Sequence, residues 1–181
     1  MGEVLMTYKD EIIKAMKFLA QDERVIALGQ GVGYPCAVGL METLECFPPS
    51  RRIEFPVAEE LQLGACLGLS LSGFLPLAVY PRMDFLILAL NQLVNHLDKF
   101  ESMSRGDFKP KVIIRTAIGA KNPLDAGPQH TQDHTEALRY LLTNIDVIKL
   151  EEAEQIVPAY EGAYSSERST ILIEISEKVR A

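Results

Sequence analysis

Two carboxylates, Glu59 and Glu60, stand immediately before residues 61–80, a run that carries no charge. The plain reading is a pair of helix-start acids, each favoured by the macrodipole by roughly 0.3–1 kcal/mol. Successive helical residues point about 100° apart, so one of the pair can face inward while the other faces solvent. A carboxyl group in an apolar setting is driven toward its neutral form and becomes able to donate a proton or a hydrogen bond. Residues 129–134, QHTQDH, hold a second set of groups, with His130 and His134 four apart and Asp133 between them. A metal site needs further ligands at a recognisable spacing, and none accompanies these, so no metal is assigned. Two readings remain. Either Asp133 caps the following helix and one His is polar surface, or His130 stands on the tip of a long loop facing a ligand.

A third stretch, GQGVGYP at 29–35, invites a phosphate cradle. Its spacing is G-x-G-x-G rather than G-x-G-x-x-G, and Tyr34-Pro35 does not open a helix, so a turn at a strand end is the expectation. Cys36, Cys46 and Cys66 fall into no metal-ligand or redox spacing and read as apolar fillers in a reduced, cytoplasmic setting.

These groups need elements to hold them. Residues 7–21 place Ile12, Ile13, Met16, Leu19 and Ala20 at helical spacing. Short apolar runs at 24–29, 52–55, 75–80, 111–116, 146–150 and 169–175 read as strands. Between them the pattern predicts helices over 58–72, over 84–100 with Asp84 as cap, over 134–144, and over 152–166 with an interruption near Pro158. Gly73 and Pro76 read as a helix stop followed by a strand. Gly64 and Gly68 share one face of the 58–72 helix, where small residues let another backbone approach. Each costs about 1 kcal/mol against Ala, so close packing must compensate.

Alternating strands and helices imply an α/β fold, a mostly parallel sheet with helices on both faces, in a single domain over 1–181. Ligands gather at the carboxyl ends of such strands, which singles out the loops after Gly29, Phe55, Tyr80, Thr116 and Leu150. The chain has 181 residues, 48% apolar, with a net charge of −7 and no basic cluster, which argues against nucleic acid. The apolar run at 61–80 is long enough to span a bilayer, but Gln62, the Gly and Ser residues and Pro76 argue for a buried helix and strand instead. The first residues have no apolar core of the secretory type.

The pattern resembles a known family. MTYKDEIIKAM, VIALGQGVG, FPVAEELQLGACLGLSLSGFLPLAVY, DFLILALNQLVN and KVIIRT followed by GPQHTQ occur in order. Together they resemble the pyrimidine-binding domain of thiamine diphosphate enzymes of the transketolase-like group. The likeness is nearest to the beta subunit of the decarboxylating component of pyruvate and branched-chain 2-oxo acid dehydrogenases. The resemblance implies that Glu59 hydrogen-bonds a ring nitrogen of the cofactor's aminopyrimidine and so promotes loss of the thiazolium C2 proton. It implies that Phe85 stacks on the pyrimidine, that Val57 and Gln30 line the same pocket, and that His130, in Gln-His-x-Gln, meets substrate.

Departures accompany the likeness. An acidic pair is common where this chain has Gln30 and Gly31, and an Asp where it has Asn91. No G-D-G…N segment for Mg²⁺ and the diphosphate is present, nor a C-terminal domain. The resemblance therefore implies half of a site, completed by a diphosphate-binding subunit that holds the Mg²⁺. The expected assembly is a hetero-oligomer, with a heterotetramer among its forms and a homodimer left open for the chain alone. The expected activity is on a 2-oxo acid or a ketose; carboligation of the transketolase type and a non-catalytic assembly role are the alternatives.

Overall fold

Each apolar run pairs with its neighbours in the same direction, and the result is one parallel sheet. The computed structural model describes residues 6–34, 40–122 and 125–180, so Pro35, Cys36 and Pro123 lie outside the described residues. Its strands are β1 (Val25–Gly29), β2 (Arg52–Glu54), β3 (Leu75–Tyr80), β4 (Ile113–Ile118), β5 (Ile145–Lys149) and β6 (Ser169–Ile175). Among the described residues they form a six-stranded sheet in the order β2-β1-β3-β4-β6-β5. Every pairing is parallel, with Gly29 opposite both Glu54 and Val79.

Strand residues alternate between two apolar layers. Val25, Ala27, Leu77, Val79 and Leu172 pack with α1 (Tyr8–Leu19) and α7 (Ala153–Ser165). Ile26, Leu28, Ala78, Tyr80, Ile114 and Ile173 pack on the other face. There they meet α3 (Glu59–Leu71), α4 (Met83–Leu86) and α6 (Thr135–Leu141). Helices on both faces explain why β1 and β3 are buried throughout rather than on alternate residues.

Local chemistry sets several ends. α1 starts with a capping box in which the Thr7 hydroxyl and the Asp10 carboxylate satisfy each other's backbone amides. α3 stops where the sequence predicts. Gly73 takes φ +90°, the Phe74 amide donates to the Leu69 carbonyl at 3.1 Å, and the Gly73 amide donates to Ser70 at 3.0 Å. Among the described residues no helix is long and apolar enough to cross a membrane.

Three expectations are corrected. The helix predicted over 84–100 begins at Met83 with Arg82 as its first flanking residue, so Asp84 is not a cap. It also changes winding, from α4 through a 3₁₀ turn at Ile87–Ala89 and a π-helix at Asn91–Leu97 to α5 (Phe100–Met103). α7 runs unbroken through Pro158, which lies on its exposed side while Ile156, Tyr160 and Ala163 are buried on the other. The 111–116 strand begins and ends two residues later, at Ile113–Ile118. The short helices α2 (Leu40–Thr43) and α8 (Ser176–Arg180) have no counterpart in the expectations.

Two polar devices lock the layers. Arg115 in β4, 1% exposed, forks Glu174 in β6 through Nε at 2.8 Å and Nη2 at 3.0 Å. Tyr160 donates to the same carboxylate at 2.8 Å, and Arg115 Nη1 donates to Thr43 Oγ1 at 2.8 Å. Burial, with the Glu174 charge, drives the Tyr160 phenol well above its ordinary range. On the opposite face Gln62, fully buried in α3, donates through Nε2 to the carbonyls of Val79 at 3.0 Å and Leu28 at 3.4 Å. One side chain thereby fastens α3 to the ends of both β1 and β3.

Beyond the π-helix, Asp98 accepts from the Thr143 amide at 3.0 Å, the Asn144 amide at 2.7 Å and Lys99 Nζ at 2.6 Å. Burial works to raise its carboxyl, but the bonds from Lys99, Asn144 and Thr143 outweigh that and hold it below the usual carboxylate range.

Gln62→Leu is expected to cost about 0.5–1.5 kcal/mol, the net worth of an ordinary hydrogen bond, in urea unfolding; an unchanged midpoint would show that the amide contributes nothing. Asp98 titrates below its unfolded value, so its contribution is complete above that value and disappears as pH falls through the folded one. The stability gap between wild type and Asp98→Asn should therefore be flat above about pH 5 and shrink below about pH 4, since an unfolded Asp titrates near 3.9. A gap independent of pH would refute this assignment.

Candidate functional site

From β1 the chain steps to β2 on one side, and from β3 it steps to β4 on the other. Connections that diverge this way open a crevice at the carboxyl ends of the strands between β1 and β3. Gly29 allows the two to converge there, because a Cβ on it would fall 2.1 Å from the Val79 carbonyl oxygen.

Glu59 opens α3 at this crevice. It is 5% exposed, while Glu60 is exposed, the division that helical geometry predicts for successive residues. The Glu59 carbonyl accepts from the Tyr80 hydroxyl at 3.1 Å, and its Oε1 accepts from Gln30 Nε2 at 3.2 Å. Burial raises the Tyr80 phenol, with smaller contributions from Cys66 and Glu59, so the group stays a hydroxyl donor. Glu60 turns away and accepts from Asn91 Nδ2 at 2.8 Å. An amide at position 91 can donate to Glu60 where an Asp would repel it.

Gln30 owes its place to the loop behind it. Glu54, at the end of β2, accepts the Gly31 amide at 2.8 Å on one carboxylate oxygen and the Gly33 amide at 2.7 Å on the other. The chain's own carboxylate thus occupies the concavity that a phosphate would need, which supports the turn reading of GQGVG.

The crevice continues into an open groove of about 640 Å³ lined by Ala58, Glu59, Glu60, Leu61, Gly64, Leu88 and Gln92. Val57, on the turn into α3, is 80% exposed. A Cβ on Gly64 would touch Gln92 at 3.8 Å, and among the described residues one on Gly68 would meet nothing within 4 Å. The small-residue face of α3 is open along much of its length. Cys66, on the inner side of the helix, has its thiol pushed up to about 12 by burial.

Phe85, half-buried in α4, meets the His130 ring edge-on, with centroids 5.5 Å apart and planes at 87°. His130 Nδ1 is buried and has no hydrogen-bond partner among the described residues. The cap position of α6 is His134, with no side-chain cap bond, so Asp133 is not the cap expected of it; one residue earlier, it accepts the Thr135 amide at 3.0 Å and binds Lys149 at 3.0 Å, which ties the start of α6 to β5. Burial works to raise its carboxyl, but the Thr135 and Lys149 bonds outweigh that and hold it low. Among the described residues no group of three or more His, Cys, Asp or Glu is placed to hold a metal ion.

The structure therefore joins the expected residues as two pairs, Gln30 with Glu59 and Phe85 with His130, at the carboxyl edge of one sheet. Sequence reasoning missed Gln62, Tyr80 and Glu54, which fix the first pair, and the bond between Asp84 and Gln132. The available signal was Gln62, the one amide side chain in the charge-free run.

The sequence matches the model of the transketolase pyrimidine-binding domain over residues 6–180. It is 27% identical over 152 residues to the 2-oxoisovalerate dehydrogenase subunit beta of Bacillus subtilis, covering 81% of this chain and 44% of that protein. It is 30% identical over 139 residues to the pyruvate dehydrogenase E1 component subunit beta of Chaetosphaeridium globosum, covering 73% and 40%. The chain thus spans less than half the length of these curated relatives. A solved structure described as "Split gene transketolase, inactive beta4 tetramer" shares the fold, with a TM-score of 0.72 at 20% identity over 94% of this chain and 52% of that one. With the family model matched over nearly its full length, the chain belongs to the transketolase pyrimidine-binding domain family.

Proposed function

We propose that this chain supplies the pyrimidine-binding half of a thiamine diphosphate site in a split enzyme acting on a 2-oxo acid or a ketose, by decarboxylation or aldehyde transfer. The observation that carries the reading is Glu59, a carboxyl 5% exposed at the mouth of an open groove and at the strand switch point. The residues fit the group. Glu59 would meet a ring nitrogen of the aminopyrimidine, Phe85 would stack on the ring, and Val57 and Gln30 would line its pocket. His130, with its buried Nδ1 that has no partner among the described residues, would meet the substrate. When bound, thiamine diphosphate supplies an acidic carbon that, once deprotonated, adds to a carbonyl.

This chain's contribution is placement and proton handling. Gln30 orients the Glu59 carboxyl, and Tyr80 and Gln62 hold the helix start that carries it; with the cofactor bound, the carboxyl would share a proton with the ring nitrogen. Leu61, Leu88 and Gly64 line one wall of the groove and would exclude water there once a partner covers it.

The partner in this reading is a diphosphate-binding subunit that holds Mg²⁺ and docks on the Gly64/Gly68 face of α3 and the helix that starts at Met83. Leu61 and Leu88, each 61% exposed, would be its apolar contacts. A hetero-oligomer, a heterotetramer among its forms, follows from such pairing, and the same face would serve a homodimer of the chain alone. Cytoplasmic placement belongs to the same proposal, with Cys46 and Cys66 free rather than paired.

One observation favours a second reading, a non-catalytic relative that keeps the fold for assembly. The residue that meets Glu59 is Gln30, an amide where the family pattern carries an acid. Carboligation of the transketolase type is the alternative within the catalytic reading.

Two measurements separate these. The chain, purified with a candidate diphosphate-binding chain encoded beside it and titrated with thiamine diphosphate and Mg²⁺, is expected to form a complex and bind the cofactor; a mixture that does neither overturns the proposal. In that complex Glu59→Gln should abolish exchange of the cofactor's C2 proton followed by NMR, and exchange at the wild-type rate would remove Glu59 from its role.

A further inference from the structure

We propose that Asp84 and Gln132 form a clamp that positions the His130 imidazole against Phe85, a device that rests on the half-site reading above. Asp84 is an acid in the first turn of α4 that leaves its own helix end uncapped. Its Oδ1 turns instead to the loop after β4, accepting from Gln132 Nε2 at 2.9 Å and more weakly from the Gln132 amide at 3.3 Å. The neighbouring Met83 supplies the next hold, its Sδ accepting the His134 amide at 3.0 Å.

A steric stop works on the other side. A Cβ on Gly119 would fall 1.7 Å from the His130 carbonyl oxygen, so the loop lies directly on the backbone that leaves β4. The His130 amide closes a turn onto the Gly127 carbonyl at 3.0 Å, which fixes the approach to the residue. His130 is therefore held by bonds before it and after it, by a contact beneath it and by the Phe85 ring beside it.

Asp84 and Phe85 are consecutive on one helix turn. Whatever Asp84 grips is registered to the Phe85 ring, and that ring is the one proposed to face the cofactor. The clamp acts through His130 and Phe85, so Asp84 and Gln132 are positioning residues. An Asn at position 84 keeps one acceptor oxygen for Gln132, whereas an Ala keeps none.

The chain has three histidines, which makes the imidazole protons readily assignable by NMR. A Phe85–His130 ring NOE is expected in wild type and in Asp84→Asn, and its loss in Asp84→Ala and in Gln132→Ala. In the complex with the diphosphate-binding subunit, Asp84→Ala should lower turnover by about 10–100-fold with cofactor affinity within about twofold, and Asp84→Asn should restore most of it. If Asp84→Ala does not fold, Gln132→Ala carries both readouts, since Gln132 is an exposed loop residue. An NOE and a turnover that survive both alanine variants overturn the clamp and leave the half-site reading standing. A wild-type complex that binds no thiamine diphosphate overturns the half-site reading whatever the NOE shows.

Discussion

The carboxyl edge of this sheet depends on a single buried amide. β1 and β3 are neighbours whose connections leave in opposite directions, so no loop ties their ends together where the crevice opens. Gln62 does so from above, donating to the carbonyls of Val79 and Leu28 from one nitrogen. Each such bond is worth about 0.5–1.5 kcal/mol net, so the buried amide has a definite use at this position. Gln62 lies one turn beyond Glu59, and the Tyr80 hydroxyl binds the Glu59 carbonyl directly. The position of the carboxyl is thus set by strand ends on which it has no direct purchase.

Much of this was legible because it follows from local geometry. The division between Glu59 and Glu60 is a consequence of helical rotation alone, and the stop at Gly73 follows from the conformation that its neighbours leave open. The alternation of apolar runs and amphipathic segments was enough for a parallel sheet covered on both faces. What escaped reading depends on contacts between residues distant in the chain. Glu54 and Gly31 are 23 residues apart, and Asp84 and Gln132 are 48 apart. Neither separation leaves a periodic trace. Asp84 looked like a cap because an acid at a helix start usually is one, and only the arrival of Gln132 gives its carboxylate another use.

Two further departures have the same origin. Pro158 removes an amide from α7, yet the buried side of the helix, with Ile156, Tyr160 and Ala163, carries the packing that holds it together. Tertiary contact outweighs the local penalty, as it commonly does for propensity. The helix after β3 is the opposite case: its sequence reads as a regular amphipathic segment, but its winding loosens to a π-helix at Asn91–Leu97. Gln92 in that stretch lies against Gly64, and Asn91 reaches Glu60. Both contacts are with α3, so the change in winding occurs where this helix forms the second wall of the groove.

The loop after β1 shows how a motif is decided by what fills it. Its glycines present amides to a concavity, the arrangement that elsewhere binds an anion. Here the anion is Glu54, which takes the Gly31 and Gly33 amides and leaves no open donor pair for a phosphate. The same carboxylate fixes the backbone at Gly31 and Gly33, on either side of Val32, and so the turn that Gln30 leads into. Gln30 then reaches Glu59. A turn that resembled a weak nucleotide motif is instead the last link in a chain of contacts. It runs from the end of β2, through two glycine amides and one side-chain amide, to the carboxyl at the mouth of the groove.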